Sequence, residues 1–126
     1  MSVEATHDQS FRIERHGEVA VVVPSAKVEE MHEALIEQAA KLVISSLKED
    51  PPGGIVIDLS LVNYVGSVFV SFLLRCHMLA KKQGSEIVLC GASEPARELL
   101  HLLDLETVWA LYPTRKEAVE ALSGSD

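Results

Sequence analysis

The segment Ile55-Val56-Ile57-Asp58-Leu59 restricts the possible folds of this chain more than any other. It is short, apolar and β-branched, and it lies between two long segments of helical periodicity. A strand that is apolar at successive positions needs cover on both faces, and helices packed on a mainly parallel sheet supply it. Pro51-Pro52-Gly53-Gly54 breaks the chain just before this strand and sets its start.

The flanking segments fit that reading. Phe11 to Arg15 alternates, His16-Gly17-Glu18 makes a turn, and Val19 to Val23 is β-branched up to Pro24, which together predict an antiparallel hairpin. From Val28 to about Leu47 the period becomes helical, with Val28, Met31, Leu35, Ala39 and Leu42 on the expected core stripe, flanked by Ile36 and Val43. A second helix is predicted from Ser67 to Gln83, stopped by Gly84, and a second buried strand from Glu86 to Cys90. Ser93 is placed to cap a third helix, Val108 to Tyr112 to form a last strand, and Thr114 to cap a helix reaching about Leu122. The predicted order is β-β-α-β-α-β-α-β-α: an α/β fold with a mixed, mainly parallel sheet of four to five strands and about four helices. One domain is expected over residues 11–122, with residues 1–10 and 123–126 as loose termini.

Composition narrows the function. Eleven basic residues against nineteen acidic ones leave a net charge of −8, a balance that repels phosphate backbones and anionic lipid. No basic stretch followed by an apolar run opens the chain, and the longest apolar stretch, Leu61 to Ala80, is interrupted by Asn63, Ser67, Ser71, Arg75 and His77. Neither a secretory signal nor a membrane span is expected, nor nucleic-acid binding. The two cysteines, Cys76 and Cys90, have no metal or redox spacing and suit reduced thiols in a cytoplasmic protein.

Catalytic and cofactor patterns are missing. The five histidines, His7, His16, His32, His77 and His101, are scattered, and Cys76 and His77 point about 100° apart on a helix, so no metal site is expected. Pro51-Pro52-Gly53-Gly54 precedes a strand and lacks the Gly-Lys-Ser/Thr ending of a phosphate-binding loop. Tyr64-Val65-Gly66-Ser67 lacks the glycines of a nucleophile elbow. Asp58 has two readings, a catalytic carboxylate at a sheet end or a hydrogen-bonded structural residue. The chain reads as a binding module with no enzymatic activity and no cofactor.

Ser67 lies where the chain leaves a buried strand and starts a helix, the end of an α/β sheet that carries functional loops. It has two readings: a helix N-cap, or a phosphoacceptor whose added charge would sit at an anion-favouring helix terminus. On the helix that follows, Val68, Phe69, Phe72, Leu73, Cys76, Leu79 and Ala80 make the core face, while Val70, Leu74 and Met78 form a separate i, i+4, i+8 stripe with Ser71 at its border. That stripe is either an extension of the core or a docking strip beside the Ser67 turn.

With these elements placed, the chain resembles the STAS domain of bacterial anti-sigma-factor antagonists. The resemblance runs from about Phe11 to Leu122. It is carried by Ile55-Val56-Ile57-Asp58-Leu59-Ser60, Val62-Asn63-Tyr64-Val65, Gly84-Ser85-Glu86-Ile87-Val88-Leu89-Cys90-Gly91, Leu102-Leu103-Asp104-Leu105 and Tyr112 to Val119. In that family the strand-to-helix turn reads Asp-Ser-Ser-Gly, and its first serine is phosphorylated by a kinase that is also an anti-sigma factor. Here the turn reads Gly66-Ser67-Val68-Phe69. The resemblance implies a cytoplasmic partner-switching regulator of transcription. Ser67 would be its phosphorylation candidate, and Tyr64, Gly66, Ser67, Val70, Ser71, Leu74 and Met78 its partner-binding residues. Its implied partners are an anti-sigma factor of the histidine-kinase-like serine kinase type and a serine phosphatase. The alternatives are a non-phosphorylated adaptor subunit of a sensory or transport assembly, a small-ligand sensor or enzyme with a pocket near Asp58, Gly66 and Ser67, and a homodimer built on the same apolar strip.

Overall fold

The computed structural model describes residues 2–5 and 10–123. Strands β1 (Ser2–Ala5), β2 (Phe11–His16) and β3 (Val19–Pro24) lead into helix α1 (Glu33–Glu49) and strand β4 (Gly54–Asp58). Helix α2 (Ser67–Gln83), strand β5 (Glu86–Cys90), helix α3 (Glu94–Leu102), strand β6 (Leu111–Tyr112) and helix α4 (Arg115–Leu122) complete the chain. The strands lie in sequence order in one six-stranded sheet. The β1–β2 and β2–β3 pairs are antiparallel, and the three pairs from β3 to β6 are parallel.

This topology distributes the helices. Each parallel connection moves the sheet one strand in the same direction, so right-handed crossovers put α1, α2 and α3 on one face. The opposite face is left to α4. Side chains divide accordingly: Ile55 and Ile57 point into the core under α1 and α2, while Val56 joins Val19, Val21, Val88 and Ala118 beneath α4. Ile55, Val56 and Ile57 are all fully buried, as the continuous apolar run requires.

The α/β class and the alternation after the hairpin agree with the sequence, and four details differ. Residues 1–10 were expected to lack regular structure, yet Ser2–Ala5 pairs with β2 as a sixth, edge strand; residues 1, 6–9 and 124–126 lie outside the described residues. The first helix begins at Glu33 instead of Val28, because Ala26–Glu29 closes a separate 3-10 turn. That interruption shifts the helical phase. Ile36, Ala39, Ala40, Val43, Ile44 and Leu47 are buried, whereas Leu35 and Leu42 are 45% and 52% exposed. The last strand contracts from Val108–Tyr112 to Leu111–Tyr112, since Val108 and Trp109 donate their backbone N–H groups to Leu105 across a 3-10 turn. Trp109 then turns inward, 2% exposed, and its indole N–H donates to His77 Nδ1 at 3.2 Å.

The boundaries of the later helices follow local chemistry. Ser93 Oγ accepts the Ala96 N–H and Thr114 Oγ1 accepts the Glu117 N–H, each a side-chain N-cap. Gly84 ends α2 in the left-handed region, at φ +73°.

Candidate functional site

The chain leaves β4 through residues 59–66 and enters α2 at Ser67. Leu59, Val62 and Val65 are at most 1% exposed and anchor this connection in the core, while Ser60, Leu61, Asn63 and Tyr64 face outward. Two neighbours hold the connection from its sides. The Asn63 N–H donates to Glu29 Oε2 at 2.8 Å, and Ser93 Oγ donates to the Asn63 carbonyl at 3.4 Å. An exposed loop pinned on both flanks presents its tip in a fixed orientation.

At the tip, Gly66 occupies the N-cap position of α2, with φ −92° and ψ 178°, and its carbonyl accepts the Val70 N–H at 2.9 Å. Glycine supplies no side chain to cap the helix, and the first turn of α2 contains no acidic residue. The N-cap reading of Ser67 is therefore corrected: Ser67 is the first helical residue, exposed, and no side chain caps α2. Within α2 itself no acidic side chain offsets the positive end of the helix dipole beside the Ser67 hydroxyl.

A cleft of about 270 Å³ opens next to this hydroxyl, lined by Met31, Glu33, Tyr64, Gly66, Ser67 and Phe69 among others. Of the residues singled out in the sequence, Tyr64, Gly66 and Ser67 gather at this cleft, with Tyr64 67% exposed. Ser71, Leu74 and Met78 continue along the outer surface of α2, with Leu74 40% and Met78 70% exposed. Val70 is half-buried and packs against the core, so the stripe meets the protein at that end and solvent at the other. Glu29, Met31 and Glu33 were not foreseen as part of this site. They come from the segment 34 residues earlier than Asn63 that clamps the loop, and no local sequence pattern marks such a contact.

Asp58 stands apart from this cleft. Its side chain points to the α4 face, where Oδ1 accepts the Ser60 N–H at 2.9 Å and Oδ2 accepts Arg115 Nε at 2.8 Å. Arg115 also donates to Glu14 Oε1 at 2.8 Å, tying β2, β4 and α4 together. Burial pushes the Asp58 carboxyl up, but the Ser60 N–H, the Ser60 hydroxyl and the Arg115 guanidinium outweigh it and hold it below the ordinary aspartate value. Gly91, at φ +67°, lies against this network, and a Cβ there would approach Asp58 Oδ1 to 3.1 Å and the Ser60 Cβ to 3.0 Å. Of the two readings of Asp58, the structure supports the hydrogen-bonded one, with its carboxylate committed on the α4 face while Gly66 and Ser67 line a cleft walled by other residues.

Burial pushes the Cys76 and Cys90 thiols up to about 12, and both are free. No group of three or more His, Cys, Asp or Glu side chains among the described residues could hold a metal ion. Among the described residues no helix is long and apolar enough to cross a membrane.

The STAS domain family matches residues 10–118, and the chain belongs to it. An anti-sigma-factor antagonist (STAS) domain protein from Planctomyces limnophilus is similar at 28% identity and a TM-score of 0.79, over 90% of this chain and 98% of that one. An anti-sigma factor antagonist from Mycobacterium paratuberculosis is similar at 28% identity and a TM-score of 0.72, over 97% and 95% of the two chains. SpoIIAA in its unphosphorylated form shares the fold at 15% identity and a TM-score of 0.76, over 92% and 98%. No protein of curated function matches the sequence.

The glycine at position 66 gives a direct test of the turn. Aspartate there would add a carboxylate cap to α2, and its Cβ would meet the exposed Tyr64 ring, at 3.2 Å, which is free to move. Gly66→Asp is expected to raise stability by roughly 0.5 kcal/mol, from capping and the helix dipole together. Thermal unfolding by circular dichroism reads this as a small rise in Tm.

Proposed function

We propose that this chain is a cytoplasmic partner-switching regulator of the anti-sigma-factor antagonist type. Unphosphorylated, it docks an anti-sigma factor of the histidine-kinase-like serine kinase class through the Tyr64–Ser67 turn and the outer surface of α2. Phosphorylation of Ser67 releases that partner, and a serine phosphatase restores the docking form. It acts by binding and holds no cofactor.

The observation that carries this reading is the exposed Ser67 hydroxyl at the uncapped N-terminus of α2, beside an open cleft. A phosphoryl group on that oxygen would add about −1.5 to −2 charges next to unpaired helix N–H donors, so the fold can accommodate it. A partner packed on the same turn would have to bury that charge, and its affinity would fall. The two antagonists that are 28% identical to this chain support the same assignment.

Affinity purification from the source organism tests it, with wild type, Ser67→Asp and Ser67→Ala as baits. Wild type and Ser67→Ala are expected to recover a histidine-kinase-like ATPase. Ser67→Asp is expected to bind it roughly tenfold to a hundredfold more weakly, the cost of placing an unpaired charge in a desolvated interface. Equal recovery by all three would eliminate the switch.

A second reading is favoured by one feature, the absence of any carboxylate in the first turn of α2, where the family has an aspartate. In that reading the chain is a constitutive adaptor in a sensory or transport assembly. The same partner retained by Ser67→Asp, with no phosphate found on Ser67 in cells, would establish it.

A further inference from the structure

The outer side of the helical layer divides into a basic half and an acidic half. Between the later turns of α1 and α2 lies a groove of about 510 Å³, bordered by Lys48, Arg75, Lys81 and Lys82. Four of the chain's eleven lysines and arginines thus surround one groove in a protein of net charge −8. Arg75 is paired with Glu37 at 2.8 Å, while Lys48, Lys81 and Lys82 form no ion pair among the described residues. The apolar part of the groove comes from Ile44, Leu79 and the 70%-exposed Met78.

The acidic half is α3 and the 3-10 turn that follows it. Glu94, Glu98 and Leu102 are spaced i, i+4, i+8 and line one surface cleft together with Arg97 and His101, and along this stretch Glu94, Glu98, Asp104 and Glu106 outnumber those two. Leu102 is 77% exposed, and Leu103 and Val108 are 48% and 43% exposed. The two halves adjoin, because Lys81 and Val108 line a common cleft of about 200 Å³. A face with exposed apolar side chains in both halves, net basic on one side and net acidic on the other, is complementary to itself under a two-fold rotation.

We infer that this face pairs with the same face of a second copy of the chain. In the isologous dimer the α1–α2 groove of each protomer receives the Glu94–Glu98–Leu102 stripe of the other. Exposed leucines and methionine become buried, and the lysines acquire carboxylate partners. Ser67 and Lys81 are separated by about 21 Å along the axis of α2, at 1.5 Å per residue, so the basic groove lies away from the Ser67 turn, while the acidic stripe starts at Glu94, next to the Ser93 that holds the loop at Asn63. The inference does not depend on the proposed switch, and its test uses the purified chain alone.

Sedimentation velocity over a concentration series up to ~1 mM tests it. Wild type is expected to show a concentration-dependent dimer mass. The charge reversals Lys81→Glu/Lys82→Glu and Glu94→Lys/Glu98→Lys, each checked for native circular dichroism, are each expected to weaken the dimer roughly tenfold or more. An equimolar mixture of the two variants restores attraction at both copies of the contact, so a heterodimer is expected where neither variant pairs with itself. A wild type that stays monomeric across the series overturns the inference. A dimer that is indifferent to both reversals, or two weakened variants that do not combine, also overturns it.

Discussion

Arg115→Met is expected to destabilise the protein by roughly 2–4 kcal/mol. The variant strips the buried Asp58 carboxylate of two guanidinium contacts, from Nε and Nη2, both at 2.8 Å, and Glu14 of a third. A buried charge that loses its partner costs about 3–5 kcal/mol. The Arg115 side chain is 31% exposed, so solvent recovers part of that in the variant. The sign of the pH dependence follows from the depressed Asp58 carboxyl. Its contribution to stability is complete above the unfolded-state value of about 4 and is lost as pH falls through the lower folded-state value. The gap between wild type and Arg115→Met should therefore be full at neutral pH and narrow progressively below about pH 4. Urea unfolding at several pH values measures it. A gap that is constant down to acid pH would show that Arg115 acts through packing alone. Adding Asp58→Asn to the variant should recover part of the loss, because an amide is less costly to bury unpaired than a carboxylate.

Phe72→Ala is expected to cost about 3–5 kcal/mol, out of a total that for such domains is about 5–15 kcal/mol. Phe72 is 2% exposed on the buried side of α2. Its ring packs 4.8 Å from that of Phe11 on β2 and 5.7 Å from that of Phe69, which lines the cleft beside Ser67. Truncation removes buried apolar area and both aromatic contacts, and it leaves a cavity between sheet and helix. The lower urea midpoint, at an unchanged slope, reports the loss as one of native-state stability. Phe72→Leu keeps most of the volume and should lose much less.

The two variants test opposite faces of the sheet, and sequence reasoning saw those faces unequally. The face under α1 and α2 was largely legible. Continuous β-branched strands, the break at residues 51–54 and the glycine stop at Gly84 are local signals whose physical causes act within a few residues. The same is true of the Ser93 and Thr114 caps, each satisfied by an N–H three residues on. Ser67 was legible as a position because a strand end and a helix start meet there.

Other features depended on contacts that no local window contains. Asp58 meets Arg115 across 57 residues, and Arg115 meets Glu14 across 101. The clamp from Glu29 onto Asn63 spans 34 residues. The edge strand Ser2–Ala5 alternates polar and apolar residues over only four positions, too few to announce a strand, and its pairing with β2 places it in the sheet. In α1 the buried face depended on where the helix began, and a 3-10 turn at Ala26–Glu29 rotated Leu35 and Leu42 outward.

By itself, then, the sequence determined the α/β class, the order of elements after the hairpin and the place of Ser67, because short-range propensity, capping and turn chemistry decide all three. Only the tertiary structure decided that Gly66 leaves α2 uncapped, that the Ser67 cleft is walled by the segment before α1, and that Asp58 is committed to Arg115. Those outcomes follow from which surfaces the right-handed crossovers bring together, and chain topology, unlike local preference, acts over the whole length of the molecule.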